Sequence, residues 1–161
     1  MSDVTERGGF VFFWNDWPSQ WHPAPFTLDG ATYTCCEQYM MAEKARLFGD
    51  ARTRRKILAT DSPREHKALG RQVQGFDEAR WTAACREIVY RANLAKFTQN
   101  EDLRALLLAT GSKTLVEASP TDRIWGIGLA AEDPRATDRS AWRGKNWLGE
   151  ALMRVRAEIR G

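Results

Sequence analysis

The stretch TCCEQYMMAEKARLF, from Thr34 to Phe48, places an acid and an amine where an amphipathic helix would bury its core face. Glu37 and Lys44 are seven residues apart. At about 3.6 residues per turn they share one stripe with Met41 and Phe48. A carboxylate in the first turn is favoured in its ionised form, which suits a base or a stabiliser of developing positive charge. The lysine side chain leans back toward the helix start, so its amine can approach that carboxylate. The amine would serve as an electrostatic partner or, with burial lowering its pKa, as a nucleophile. Both residues also have plainer readings. Thr34-x-x-Glu37 matches a capping box, which would occupy Glu37 at the helix start. Lys44 could run its stem along the apolar face and keep its head in water.

A second constellation is ASPTDRIWGIG, Ala118 to Gly128. Asp122 follows a turn, Trp125 comes three residues later, and Gly126 and Gly128 permit close backbone approach. A base stacked on Trp125 with Asp122 handling a proton or a ribose hydroxyl is one reading. A turn aspartate and a core tryptophan is the other. The run ARTRRK, Ala51 to Lys56, reads as a solvated helix face, with a phosphate or nucleic-acid contact as the alternative. His22 and His66 stand far apart with no nucleophile signature around them, and neither a P-loop nor a G-x-G-x-x-G is present.

These residues need a scaffold. The 161 residues suit one domain with a sizeable core, spanning 1–161 with its centre at about 9–160. Composition is that of a globular protein, 43% hydrophobic and 28% charged, and the net charge of +3 mildly favours anionic ligands. Cys35, Cys36 and Cys85 include no Cys-x-x-Cys, so a zinc site is not expected; no metal and no cofactor enter the expected chemistry. An odd cysteine count, an N-terminus without a signal-type apolar core and the absence of a long apolar run point to the cytoplasm and away from a membrane.

GGFVFFWN reads as a buried strand and FTLDGATYT as a hairpin turning at Asp29-Gly30. Helices are expected from about Cys35, from Ser62-Pro63-x-Glu65 to about Val73, from Asp77 as N-cap through a stripe of Trp81, Ala84, Cys85, Ile88, Val89 and Ala92, and after Asn100 as cap. TLVEAS and RIWGIGL read as short strands, and Asn146 as the cap of a last helix that buries Leu148, Ala151, Leu152, Val155 and Ile159. The fold class is α+β, mostly helical with a small sheet.

The ordered blocks FFWN, PFTLDGATYTCCEQYMMAEKA, LGRQV, LAKFTQNEDLRALLLATG, LVEASPTDRIWGIG and GKNWLGEALMRVR resemble the NADAR family of YbiA-like N-glycosidases over nearly all of Phe10 to Arg160. The resemblance implies cleavage of an N-glycosidic bond to ribose. The substrate would be a phosphoribosylated pyrimidine intermediate of riboflavin synthesis or an ADP-ribosylated guanine in nucleic acid. It places Glu37, Lys44 and Asp122 at catalytic positions, with Lys44 at the family's Schiff-base lysine, and Asn15, Trp81 and Trp125 at substrate-binding positions. Two departures bear on the pocket: Gln38 stands where family members commonly have His, and Trp14-Asn15 replaces Ser-Asn. The other class of function is a module that binds ADP-ribose or nucleic acid without turnover.

Overall fold

The computed structural model describes residues 2–161, and among them lie two small sheets, six α-helices and two short 3-10 helices. They form two compact units, one of Pro23–Asn100 and one that joins the N-terminal segment through His22 to Glu101–Gly161.

In the first unit, β3 (Phe26–Leu28) and β4 (Ala31–Tyr33) pair antiparallel with Thr27 opposite Thr32. Asp29 and Gly30 both take positive φ, 52° and 81°, the tight two-residue turn expected of Asp-Gly. The Gln99 side-chain amide continues the pairing on the hairpin. Its Oε1 accepts from Thr27 N–H and its Nε2 donates to Thr27 C=O, both at 2.8 Å. Helix α1 (Cys36–Leu47) follows and packs on α2 (Ala51–Leu58), α3 (Pro63–Gly70) and α4 (Glu78–Gln99). Helices on several sides leave α1 without a solvent face through its first two turns, and every residue from Cys36 to Glu43 is buried.

Local signals start most of these helices. Ser62 Oγ accepts from Glu65 N–H with Pro63 in the first turn, and Asp77 accepts from Arg80 N–H at 3.1 Å. Asp50 does the same for Thr53 N–H in α2. The expected capping box of α1 is displaced by one residue. Cys35, in extended conformation, is the N-cap, so the third helical position falls on Gln38. Gln38 Oε1 accepts the Thr34 N–H at 2.8 Å, the bond that a box starting at Thr34 would have assigned to Glu37. The second unexpected boundary is α3, which stops at Gly70 and not near Val73. A Cβ on Gly70 would collide with Met41 Sδ, so the glycine lets α3 close onto α1.

In the other unit, β1 (Thr5–Arg7), β2 (Phe10–Phe13) and β5 (Thr114–Glu117) form a sheet in the order β1-β2-β5. β1 pairs antiparallel to β2 through the positive-φ turn at Gly8-Gly9, and β2 runs parallel to β5 with Phe12 opposite Val116. Phe12, Val116, Ala118, Ile127, Leu129 and Ala136 form a buried cluster. α5 (Glu101–Ala109) packs beside α6 (Trp147–Arg160), and α6 packs on β5. Leu148, Ala151, Leu152 and Val155 are buried there, as the stripe predicts, with Ile159 half-buried.

Three expectations fail in this region or beside it. RIWGIGL is a loop without strand pairing. Asn100 does not cap α5; its Nδ2 donates to the carbonyls of Lys96 and Pro25. Asn146, in the left-handed region at φ 55°, precedes α6 but makes no side-chain cap. Its amide instead lies on the open edge of β5, donating to Leu115 C=O and accepting from Glu117 N–H, both at 3.0 Å.

Candidate functional site

Glu37 and Lys44 lie on α1, near its start and in its last turn. Glu37 is only 7% exposed, while Lys44 is half-buried. Burial pulls the Lys44 ammonium below its ordinary pKa; the nearby Glu37 carboxylate opposes that shift and Arg71, at the end of α3, adds to it. The acid and the amine thus act on each other electrostatically along one helix face.

Trp81 joins them. The Lys44 Nζ lies 5.6 Å from the Trp81 ring centroid and 4.8 Å from that of Phe76. Both rings belong to the start of α4, where Asp77 is the N-cap. Phe76 is the residue before the cap and Trp81 the fourth helical residue, the two positions of a hydrophobic staple. That spacing is legible in the sequence and points to Phe76, which the motifs alone do not single out. Arg71 has no such local signal.

Gln38, beside the acid, is 2% exposed and structural. Besides the Thr34 bond, its Nε2 donates to Ile57 C=O and Thr60 C=O, both at 3.2 Å. It ties α1 to the end of α2.

In the other unit, Asp122 anchors its own loop. Its Oδ1 accepts from Ile124 N–H at 2.9 Å and Trp125 N–H at 2.8 Å, and its own N–H donates to Ser119 Oγ at 3.0 Å. The loop is laced to the segment before α6: Lys145 N–H donates to Arg123 C=O, Asn146 N–H to Gly126 C=O, Trp147 N–H to Ile124 C=O and Leu148 N–H to Trp125 C=O. The last two bonds satisfy N–H groups that the start of a helix otherwise leaves without partners. Such proximity needs glycine: a Cβ at Gly126 would stand 2.9 Å from Glu117 C=O and 3.0 Å from Asp122 C=O, and one at Gly144 would strike Gly126 C=O. Trp125 is half-buried, with its ring edge-on to Trp147 at 5.8 Å. Asn15 is exposed, and its N–H donates to Asp3 Oδ2 at 2.6 Å, while Trp14 N–H donates to Oδ1 of the same carboxylate.

The geometry therefore assembles Glu37, Lys44 and Trp81 in one unit and Asp122 and Trp125 in the other, with Asn15 on a separate loop of that second unit. Among the described residues no cluster of three or more His, Cys, Asp or Glu is arranged to hold a metal ion, and no helix is long and apolar enough to cross a membrane.

The family model described as the NADAR domain matches residues 12–160. An N-glycosidase of Acanthamoeba polyphaga mimivirus is 47% identical over 145 residues, covering 87% of this chain and 85% of the relative. N-glycosidase YbiA of Escherichia coli is 33% identical over 135 residues, covering 84% of this chain and 76% of the relative. The NMR structure of Escherichia coli YbiA superposes with a TM-score of 0.77 at 30% identity, over 99% of this chain and 87% of that one.

Proposed function

This chain belongs to the NADAR domain family, and from that premise we propose that it is an N-glycosidase hydrolysing the C1′–N bond between a ribose and a base. One family match runs through both compact units, which supports a single functional domain. The observation that carries the reading is the pairing of a buried carboxylate with a partly desolvated amine on one helix face, beside an indole. In the reaction the C1′–N bond breaks, its electron pair leaves with the base, and the base nitrogen gains a proton. Water supplies the new C1′–O bond.

Glu37 stabilises the positive charge that builds on the sugar or orients the water; a positioned base supplies about 10²–10⁴-fold. Lys44 acts as its electrostatic partner or adds to C1′ of the opened sugar, expelling the base with the C1′–N electron pair to leave an imine that water then hydrolyses to free the amine; its lowered pKa increases the neutral fraction that addition requires. Trp81 holds the base. Asp122, Trp125 and Asn15 enter the proposal through the family's motifs. Asp122 contacts ribose or assists protonation of the leaving base, Trp125 stacks on the base, and Asn15 contacts substrate.

The substrate we propose is anionic, either a phosphoribosylated pyrimidine intermediate of riboflavin synthesis or an ADP-ribosylated guanine in nucleic acid. Arg71 beside Lys44 suits a phosphate, and residues 51–71 carry seven Lys or Arg against two Asp or Glu. The test measures released sugar and free base with both substrate types. Wild-type protein should turn over one of them, and Glu37→Gln should lose about 3–5 kcal/mol of transition-state stabilisation while keeping its fold. Tight binding with no sugar released from either substrate would overturn the glycosidase in favour of a binding module.

A further inference from the structure

We propose that Phe76 is a positioning residue that, with Trp81, holds the Lys44 amine against two aromatic rings and sets how readily it gives up its proton. The clamp is one end of a ladder of rings and cations. Arg80 Cζ lies 5.3 Å from the Phe48 centroid, Phe48 is edge-on to Phe76 at 5.5 Å, and Lys44 Nζ lies over Phe76 at 4.8 Å and Trp81 at 5.6 Å. Phe48 caps the end of α1 and Phe76 precedes the start of α4, so the ladder joins those two termini. Arg80 is held in it by donating to Leu47 C=O at 3.2 Å.

Phe76 is 48% exposed; its ring packs edge-on against Phe48 and lies beside the Lys44 amine. It acts on Lys44 in two opposed ways. Its bulk keeps water off the amine, which favours the neutral form. The negative face of its ring attracts the ammonium, which favours the charged form. Two charged groups also act on Lys44: Glu37 from the first turn of α1 holds the proton on, and Arg71 from the end of α3 pushes it off. Arg80, from α4, is engaged with Phe48 and Leu47. The clamp's role in turnover rests on the glycosidase reading; its effect on the amine does not.

The two ring effects separate by substitution. Phe76→Leu keeps most of the bulk and removes the ring charge, so the Lys44 pKa should fall by about 0.5. Phe76→Ala admits water and should move it back up toward an ordinary lysine. Mono-, di- and trifluorinated phenylalanine at position 76 keep the shape and weaken the ring face stepwise, so the pKa should fall stepwise. Lys44 is titrated without substrate, from its rate of acylation by limiting acetic anhydride across neutral and alkaline pH, read by mass spectrometry. An unchanged Lys44 pKa through the fluorinated series and in Phe76→Leu would overturn the clamp, because a packing role is insensitive to ring charge. If the pKa follows the ring while neither substrate is hydrolysed, the clamp stands and the glycosidase reading falls. If both hold, the kcat/KM profile of Phe76→Leu should shift to lower pH by the same amount as the Lys44 pKa.

Discussion

Replacing Gln38 with leucine tests whether the residue after the proposed catalytic acid is structural. Gln38 is 2% exposed, and its side chain carries three kinds of bond. Oε1 accepts from the Thr34 N–H and also from Thr34 Oγ1 at 3.2 Å, and Nε2 donates to Ile57 and Thr60 carbonyls. Leucine fills a similar volume and makes none of these. Losing the reach-back bond at the start of α1 costs about 1 kcal/mol by analogy with a helix cap. Each amide bond to a carbonyl contributes about 0.5–1.5 kcal/mol, so the total loss should be about 2–4 kcal/mol. At about 2–4 °C per kcal/mol for a chain of this size, the midpoint should fall by roughly 4–16 °C. Thermal unfolding by circular dichroism and urea titration at constant m-value measure it. Turnover per folded molecule should stay measurable, in contrast to Glu37→Gln. A Gln38→Leu protein with a wild-type midpoint would refute the assignment of these bonds as the anchor between α1 and the end of α2.

Lys44→Met should lose nearly all activity, and Lys44→Arg separates the roles: arginine keeps the charge but is never appreciably neutral, so partial rescue in a turnover assay marks an electrostatic lysine. With an ADP-ribosylated substrate, borohydride followed by mass spectrometry should find a sugar adduct on Lys44 if the amine attacks C1′; unmodified Lys44 would exclude the imine. Tyr39→Phe should raise stability by about 1 kcal/mol, read by urea titration, because the Tyr39 hydroxyl is buried with no hydrogen-bond partner among the described residues. Burial holds the His66 imidazole below its ordinary 6.5. The unfolded chain then binds the proton first, so this contribution is present above about pH 6.5 and is lost as pH falls through the lower, folded value. The unfolding midpoint should drop across that window, and His66→Gln should flatten the drop.

Where the signal is local, the sequence alone is enough. Asp29-Gly30 turns the hairpin because both residues tolerate positive φ, and Ser62 and Asp77 start their helices because each hydroxyl or carboxylate reaches an N–H three residues on. The stripe Glu37–Met41–Lys44 follows from helical spacing, and the family of the chain from its ordered blocks. What depends on a distant partner is decided only in the folded chain. A helix starting one residue later moves the reach-back bond from Glu37 to Gln38, and the carbonyls that fix Gln38 belong to Ile57 and Thr60. RIWGIGL has strand-like composition, yet its carbonyls are taken by N–H groups of residues 143–148, which Gly126 and Gly144 allow to come close. Asn146 has the sequence context of a cap but meets the open edge of β5, whose own need for partners no local pattern reveals. The surroundings of Lys44 are of the same kind: spacing puts the amine on a stripe with Glu37, but the rings over it and the arginine beside it arrive from α4 and α3, and their combined desolvation and charge set its proton affinity.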